Sequence, residues 1–448
     1  MKRFFLATVP ALAGAMAMNA ANAADLPTKA PVYKAQPIAI YNWTGFYLGV
    51  NAGVAVSQTN ASTPDLRGVE GSVDRGAAGF AGGVQGGYNW QFARQWLAGF
   101  EGDIGYLGIN RSFTDFNENR AFGFKTNWYA TLRGRLGYTA GPSLFYATGG
   151  AAFVNVKNNY DLPNITPAVL ASKSETAAGW TVGGGTESML GGNWSAKAEY
   201  LYIHAGSQNV LNPLTREVAE FDSRFHVFRY GLNYKFGEPA VSAGAMPEHD
   251  WNGFYVGMNG GVGLAQNAVD TTLARRPRGT AVDIVDPAFA GGMQAGYNWQ
   301  FAPHWVAGLE GDIGYLGIDR SLENWDETDI FFGVKADWYG TLRGRLGYST
   351  GPALLYVTGG AAFVKVKNNF DGDAVLASKS ETARGWAMGG GIEAALTQNW
   401  TAKTEYLYIN AGSQDVFNPD VAGRPETAHF DNRFHVFRYG LNYKFGGL

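Results

Sequence analysis

At 448 residues the chain is long enough for two or three domains or for one large closed sheet. It has no cysteine, which excludes a disulfide scaffold, thiolate metal sites and cysteine nucleophiles together. Formal net charge is only -3, no long charge run occurs, and the six histidines are scattered without metal-ligand spacing, so no nucleic-acid partner is expected.

The first element is "MKRFFLATVPALAGAMAMNAANA". Lys2 and Arg3 precede an apolar run from Phe4 to about Met18, and small residues close on Ala21-Asn22-Ala23. This pattern predicts a secretory signal over residues 1–23, because the run is too short to span a bilayer. Residues 24–42, "ADLPTKAPVYKAQPIAIYN", read as a Pro-containing leader on the periplasmic side.

Beyond the leader, apolar and polar residues alternate with period two. Strands are expected near 43–56, 79–92, 95–109, 124–139, 143–157, 175–189, 193–207 and 224–236. All 17 prolines fall outside these segments and their later counterparts, consistent with proline's inability to donate to a sheet ladder. Short turns near "FARQ", "TAGPS" and "LGGN" alternate with longer loops around 57–78, 110–123, 158–174 and 208–223. Short turns on one side and long loops on the other predict an up-and-down membrane barrel with periplasmic turns. Aromatics make up 14% of the chain while mean hydropathy is slightly negative, a combination that strands with one lipid-facing and one polar side produce.

Residues 238–250 form a second leader-like segment, a linker, and after it the chain repeats itself. "WTGFYLGVNAG" at Trp43 returns as "WNGFYVGMNGG" at Trp251, and "EGDIGYLGI" and "TLRGRLGY" return unchanged. The spacing runs from 206 (Val169 to Val375) to 210 (Thr131 to Thr341), far above a solenoid period. The expected domains are therefore barrel repeats at 43–237 and 251–448.

Parity sorts the two faces. In the last strand of the first copy, Phe228, Tyr230, Leu232, Tyr234 and Phe236 oppose Arg229, Gly231, Asn233 and Lys235. The charges expected in the interior are Glu101, Asp103, Lys125, Arg133, Arg135, Glu187, Lys197, Glu199 and Arg229. Their second-copy equivalents are Glu310, Asp312, Lys335, Arg343, Arg345, Glu393, Lys403, Glu405 and Arg438. If each copy closes as eight strands, these charges must pair inside a filled lumen; if sixteen strands join, they line a water-filled pore for passive diffusion. Tryptophans at 43, 90, 96, 128, 180 and 194, and at 251, 299, 305, 338, 386 and 400, are expected in two aromatic girdles at the headgroup levels of lipid and lipopolysaccharide. In residue terms these are Trp43, Trp90, Trp96, Trp128, Trp180, Trp194, Trp251, Trp299, Trp305, Trp338, Trp386 and Trp400. The fold expected is all-β: two tandem eight-stranded transmembrane barrels, with one sixteen-stranded barrel as the alternative.

"WTGFYLGVNAG" after an "ADLP" start, with "GYNWQF", "EGDIGY", "LRGRLGY" and "YGLNYKF", resembles the small outer-membrane β-barrel family of alphaproteobacteria, whose members are called outer-membrane immunogenic or porin-family proteins and are similar to OmpA-type barrels. The resemblance covers nearly all the chain after residue 23, twice. It implies outer-membrane location, envelope integrity, surface antigenicity, and periplasmic chaperones and the barrel-assembly machinery as partners. It also implies that Phe437, Tyr439, Leu441, Tyr443 and Phe445 form an assembly signal on the closing strand. Family members usually carry one copy and end on the phenylalanine, whereas here Gly446-Gly447-Leu448 follows.

No G-x-S-x-G elbow or phosphate-binding Gly-Lys-Ser/Thr loop occurs, so no catalytic, cofactor or metal residue is assigned and the protein is read as no enzyme. His226 and His435 fall on the outward face near the upper girdle. The first long loop differs most between copies, and in the second it clusters Arg275, Arg276 and Arg278, a surface suited to lipopolysaccharide phosphates.

Overall fold

The computed structural model describes residues 40–64, 70–114, 121–162, 169–213, 216–242, 248–271, 280–323, 331–372, 375–421 and 424–445. The expected signal at 1–23, most of the leader, and Arg275, Arg276, Arg278 and Trp325 lie outside the described residues.

In chain order the first copy comprises β1 (Ile40–Tyr41), β2 (Gly45–Pro64), β3 (Glu70–Gln91), β4 (Trp96–Leu107), β5 (Asn110–Thr114), β6 (Ala121–Ala140), β7 (Ser143–Leu162), β8 (Val169–Gly191), β9 (Trp194–Leu211), β10 (Val218–Lys235) and β11 (Val241–Ser242). The second comprises β12 (Gly253–Thr271), β13 (Thr280–Ala302), β14 (Trp305–Glu323), β15 (Phe331–Ser349), β16 (Ala353–Asp371), β17 (Leu376–Ala395), β18 (Trp400–Val421) and β19 (Arg424–Lys444). All neighbours pair antiparallel.

Each copy closes on itself. β12 to β19 form a closed barrel, sealed by β12–β19 pairing from Tyr255↔Lys444 to Thr271↔Ala428. In the first copy β2 pairs β10 from Tyr47↔Lys235 to Ser62↔Glu220, and β4 pairs β6 from Trp96↔Tyr138 to Tyr106↔Trp128, returning that sheet on itself. β4 and β5 correspond to the single continuous β14. A sixteen-stranded barrel would need the first copy's margin to pair with the second's, and the ladders that would serve are already used within each copy.

Strands extend well past the expected ends on the long-loop side: β2 continues to Pro64 and β3 begins at Glu70, inside the segment expected as a loop. The polarity of the faces changes there: inward side chains such as Ala61, Phe122, Val210 and Phe221 form a buried apolar cluster, and the backbone ladder persists whichever face is apolar. Pro64, Pro287, Pro419 and Pro425 fall in such extensions.

Two girdle assignments are corrected. Ten of the tryptophans stand on the outer surface, Trp90 and Trp299 the most exposed at 59% and 60%, but Trp43 and Trp251 are buried at 3% and 1%. Gly45 and Gly253, at φ +140° and +121°, permit a bend that other residues rarely adopt just before β2 and β12. The preceding indole is thereby turned under the barrel instead of toward lipid. Trp43 packs with Leu97, Leu144, Met189 and Ala240, and β1 pairs with β11 beside it. Trp251 packs with Val306 and Leu354, and its Nε1 donates to Ser349 Oγ (2.9 Å) and Gly351 O (3.1 Å). The single indole N–H is shared between these two acceptors, so Trp251→Phe is expected to lower the unfolding free energy by about 0.5–1.5 kcal/mol, read as a lower urea midpoint. Trp43 Nε1 has no hydrogen-bond partner among the described residues, so Trp43→Phe should shift it less.

The barrels touch along the outward faces of their closing strands in a near two-fold arrangement. Phe228 and Phe437 meet each other at 5.8 Å between ring centres; Tyr200 lies 5.6 Å from Phe437, and Phe228 lies 5.2 Å from Tyr406. The Tyr230 hydroxyl donates to Gly390 O, and Tyr439 reaches Gly184 in the mirrored position. His226 and His435, expected outward, are buried at 2% and are hydrogen-bonded to the Tyr200 and Tyr406 hydroxyls at 2.8 Å.

Candidate functional site

Inward parity on β4, β6, β8, β9 and β10 gathers eight charged side chains at mid-height of the first lumen: Glu101, Asp103, Glu187 and Glu199 against Arg133, Arg135, Lys197 and Arg229. Four carboxylates face four cations, and all are buried. In hydrocarbon or a sealed lumen an unmatched charge is costly, so a balanced set is the arrangement that can be packed.

Glu199 sits at the centre. Its Oε1 accepts from Arg133 Nη1 (3.0 Å) and the Tyr146 hydroxyl (2.9 Å), and its Oε2 accepts from Arg229 Nε (2.7 Å). Arg133 Nη2 also donates to Asp103 Oδ2 at 2.7 Å and to Glu101 Oε1. Asp103 Oδ2 accepts in addition from Thr131 (2.8 Å) and Arg229 Nη2 (3.0 Å). Lys197 Nζ grips both oxygens of Glu101 at 2.8 and 2.9 Å. One layer toward the turns, Arg135 Nη2 pairs with Glu187 (2.9 Å), and its guanidinium lies 4.6 Å from the Tyr146 ring centre.

The second lumen repeats the pattern. Arg343 joins Glu310, Asp312 and Glu405 at 2.6, 2.7 and 3.1 Å; Arg438 joins Glu405 and Asp312; Lys403 joins Glu310 at 2.8 Å; and Arg345 joins Glu393 at 2.8 Å. These charge-assisted, partly bidentate bonds cross between strands far apart around the ring, bracing opposite walls and filling the lumen.

Lys125 and Lys335, expected in the interior, are outside it. Lys125 is exposed, and Lys335 bonds Asp319 at 3.2 Å with a half-exposed side chain. The cause is a β-bulge: register shifts between Thr126 and Tyr129 in β6, and between Ala336 and Tyr339 in β15. An extra residue inverts parity beyond it. Thr126 and Tyr129 both point inward while Asn127 and Trp128 both point out, so counting back from Arg133 misassigns Lys125.

Sequence reasoning missed the tyrosines of the network. Tyr47 donates to Glu101 (2.7 Å), and Tyr129 accepts from Arg229 (2.8 Å), with Tyr255 and Tyr339 in the matching places. The parity of Tyr47 between exposed Phe46 and Leu48 carried the signal for one of them. The closing-strand residues Tyr439, Leu441, Tyr443 and Phe445 project from the outer face, 36–48% exposed, while Phe437 is covered by the other barrel.

A family model described as an outer membrane protein beta-barrel domain matches this chain twice, over residues 8–236 and 239–445. The 31 kDa outer-membrane immunogenic protein of Brucella melitensis is 38% identical over 246 residues, which cover 53% of this chain and 100% of that protein. The 22 kDa outer membrane protein of Rhizobium leguminosarum bv. viciae is 37% identical over 179 residues, 39% of this chain and 72% of that one. Among solved structures, Ail, the attachment invasion locus protein of Yersinia pestis, is 17% identical with a TM-score of 0.25, covering 43% of this chain and 99% of that one.

Proposed function

Because the chain belongs to the outer-membrane protein beta-barrel family and is a protein of the outer membrane, we propose that it is a non-enzymatic structural protein supporting envelope integrity, with both lumens closed to solutes. In this reading residues 1–23 direct export, the segments 24–42 and 238–250 lie in the periplasm, and the domains are the barrels 43–237 and 251–448. The short turns face the periplasm, and the long-loop ends meet lipopolysaccharide and the cell exterior. Periplasmic chaperones deliver the chain, and the assembly machinery reads the closing strand from Phe437 to Phe445.

The observation that supports this most directly is the pair of balanced, buried ion networks spanning the two lumens. An eight-stranded barrel has room for side chains and little else, and here the side chains hold one another by charge. The expected result in planar bilayers is that the purified chain shows no large, stable single-channel openings. Steady openings of porin size would overturn the reading. A strain lacking the protein is expected to become more sensitive to detergent and chelator; unchanged sensitivity would remove the envelope role while leaving the closed lumens intact.

A further inference from the structure

The contact between the barrels joins faces that have diverged from each other, and the differences fit. Offsets of 206 to 209 residues identify the counterparts. Three counterpart pairs face each other near the two-fold: Phe228 with Phe437, Val56 with Leu264, and Gly76 with Val285. At the last of these a small residue meets a larger one. A methyl added at Gly76 would lie 1.9 Å from Val285 Cγ2, so Gly76 is the hollow into which Val285 fits.

Away from the axis the same complementarity recurs. Ala198 and Thr404 are counterparts, as are Thr186 and Ile392. In the structure Ile392 packs on Ala198, while the Thr186 and Thr404 hydroxyls hydrogen-bond at 2.6 Å. Two second barrels brought together in the same way would set Val285 against Val285 and Ile392 against Thr404. Two first barrels would leave a gap between glycines and oppose the Thr186 hydroxyl with the Ala198 methyl. Within hydrocarbon, contact between apolar faces gains little from the hydrophobic effect, so fit and buried hydrogen bonds decide which faces pair.

We propose that the two barrels are a matched pair whose faces dock selectively on each other and not on copies of themselves, holding the tandem as one two-barrel unit without help from its linker. The test uses the full chain with a protease site inserted after Ser242, folded intact, then cleaved in detergent and weighed by native mass spectrometry. The first-with-second pair should dominate. A substantial population of free barrels or of like pairs would overturn the proposal.

Ala198→Trp, which places an indole against Ile392, should separate the cleaved barrels while heat-modifiable migration on gels shows both still folded. Exchanging the bulk with Ala198→Ile plus Ile392→Ala should keep the pair. Persistence of pairing in the tryptophan variant, or its loss in the exchanged one, contradicts the assigned fit.

Discussion

Arg229→Met should destabilise the first barrel by about 3–5 kcal/mol, the cost of stranding a buried charge. The guanidinium of Arg229 joins Glu199 and Asp103 and receives no compensation from water, its side chain being fully buried. Methionine restores much of the packing volume but leaves four carboxylates facing three cations in a sealed lumen. Urea unfolding from lipid vesicles, followed by tryptophan fluorescence, reads this as a lower midpoint at unchanged slope. Adding Asp103→Asn to Arg229→Met rebalances the set at three against three, so the double variant should be more stable than the sum of the single effects implies. Arg438→Met, whose contacts to Asp312 and Glu405 are alike, should do the same to the second barrel. A single variant within about 1 kcal/mol of the parent would mean that water reaches the lumen and the network is not a plug.

Leu132→Arg should cost about 2–4 kcal/mol, the penalty for an arginine on the lipid face at bilayer mid-depth. Leu132 is 66% exposed on β6, between Trp128 toward one girdle and Tyr138 toward the other. The adjacent Arg133 is fully embedded in the ion network, so neighbouring positions in one strand should respond oppositely to charge: Arg133 depends on its charge, while Leu132 excludes one. Ser174→Arg, exposed near the long-loop end of β8, should cost only about 0–1 kcal/mol because it lies beyond the hydrocarbon. Equal costs at Leu132 and Ser174 would remove the membrane belt from the positions given to it here.

Much of the lumen was legible in the sequence because parity is local. Glu101 and Asp103 flank Gly102, and Arg133 and Arg135 flank Gly134, so each pair shares a face whatever the rest of the chain does. Lys125 was not legible from Arg133, since one inserted residue at 127–128 inverts the faces and nothing in the composition there announces it. Trp43 illustrates a different gap. Its spacing matched a girdle, but its side chain follows the bend at Gly45 and closes the barrel's end. The tyrosine hydroxyls escaped notice because a ring is read first as apolar area, and only a carboxylate or guanidinium within reach makes its oxygen matter.

The sequence by itself determined that this is a duplicated, all-strand chain whose strands have one lipid-facing and one inward side, the inward side charged on several of them. Those properties follow from residues one or two positions apart and from plain self-similarity. Only the tertiary structure decided that Tyr47 pairs with Lys235 and Tyr255 with Lys444, making two rings, and that Phe228 then meets Phe437 between them. Ring closure and docking join residues separated by roughly two hundred positions. Alternation along a strand states which way a side chain points, but it carries no information about which distant strand completes the ladder.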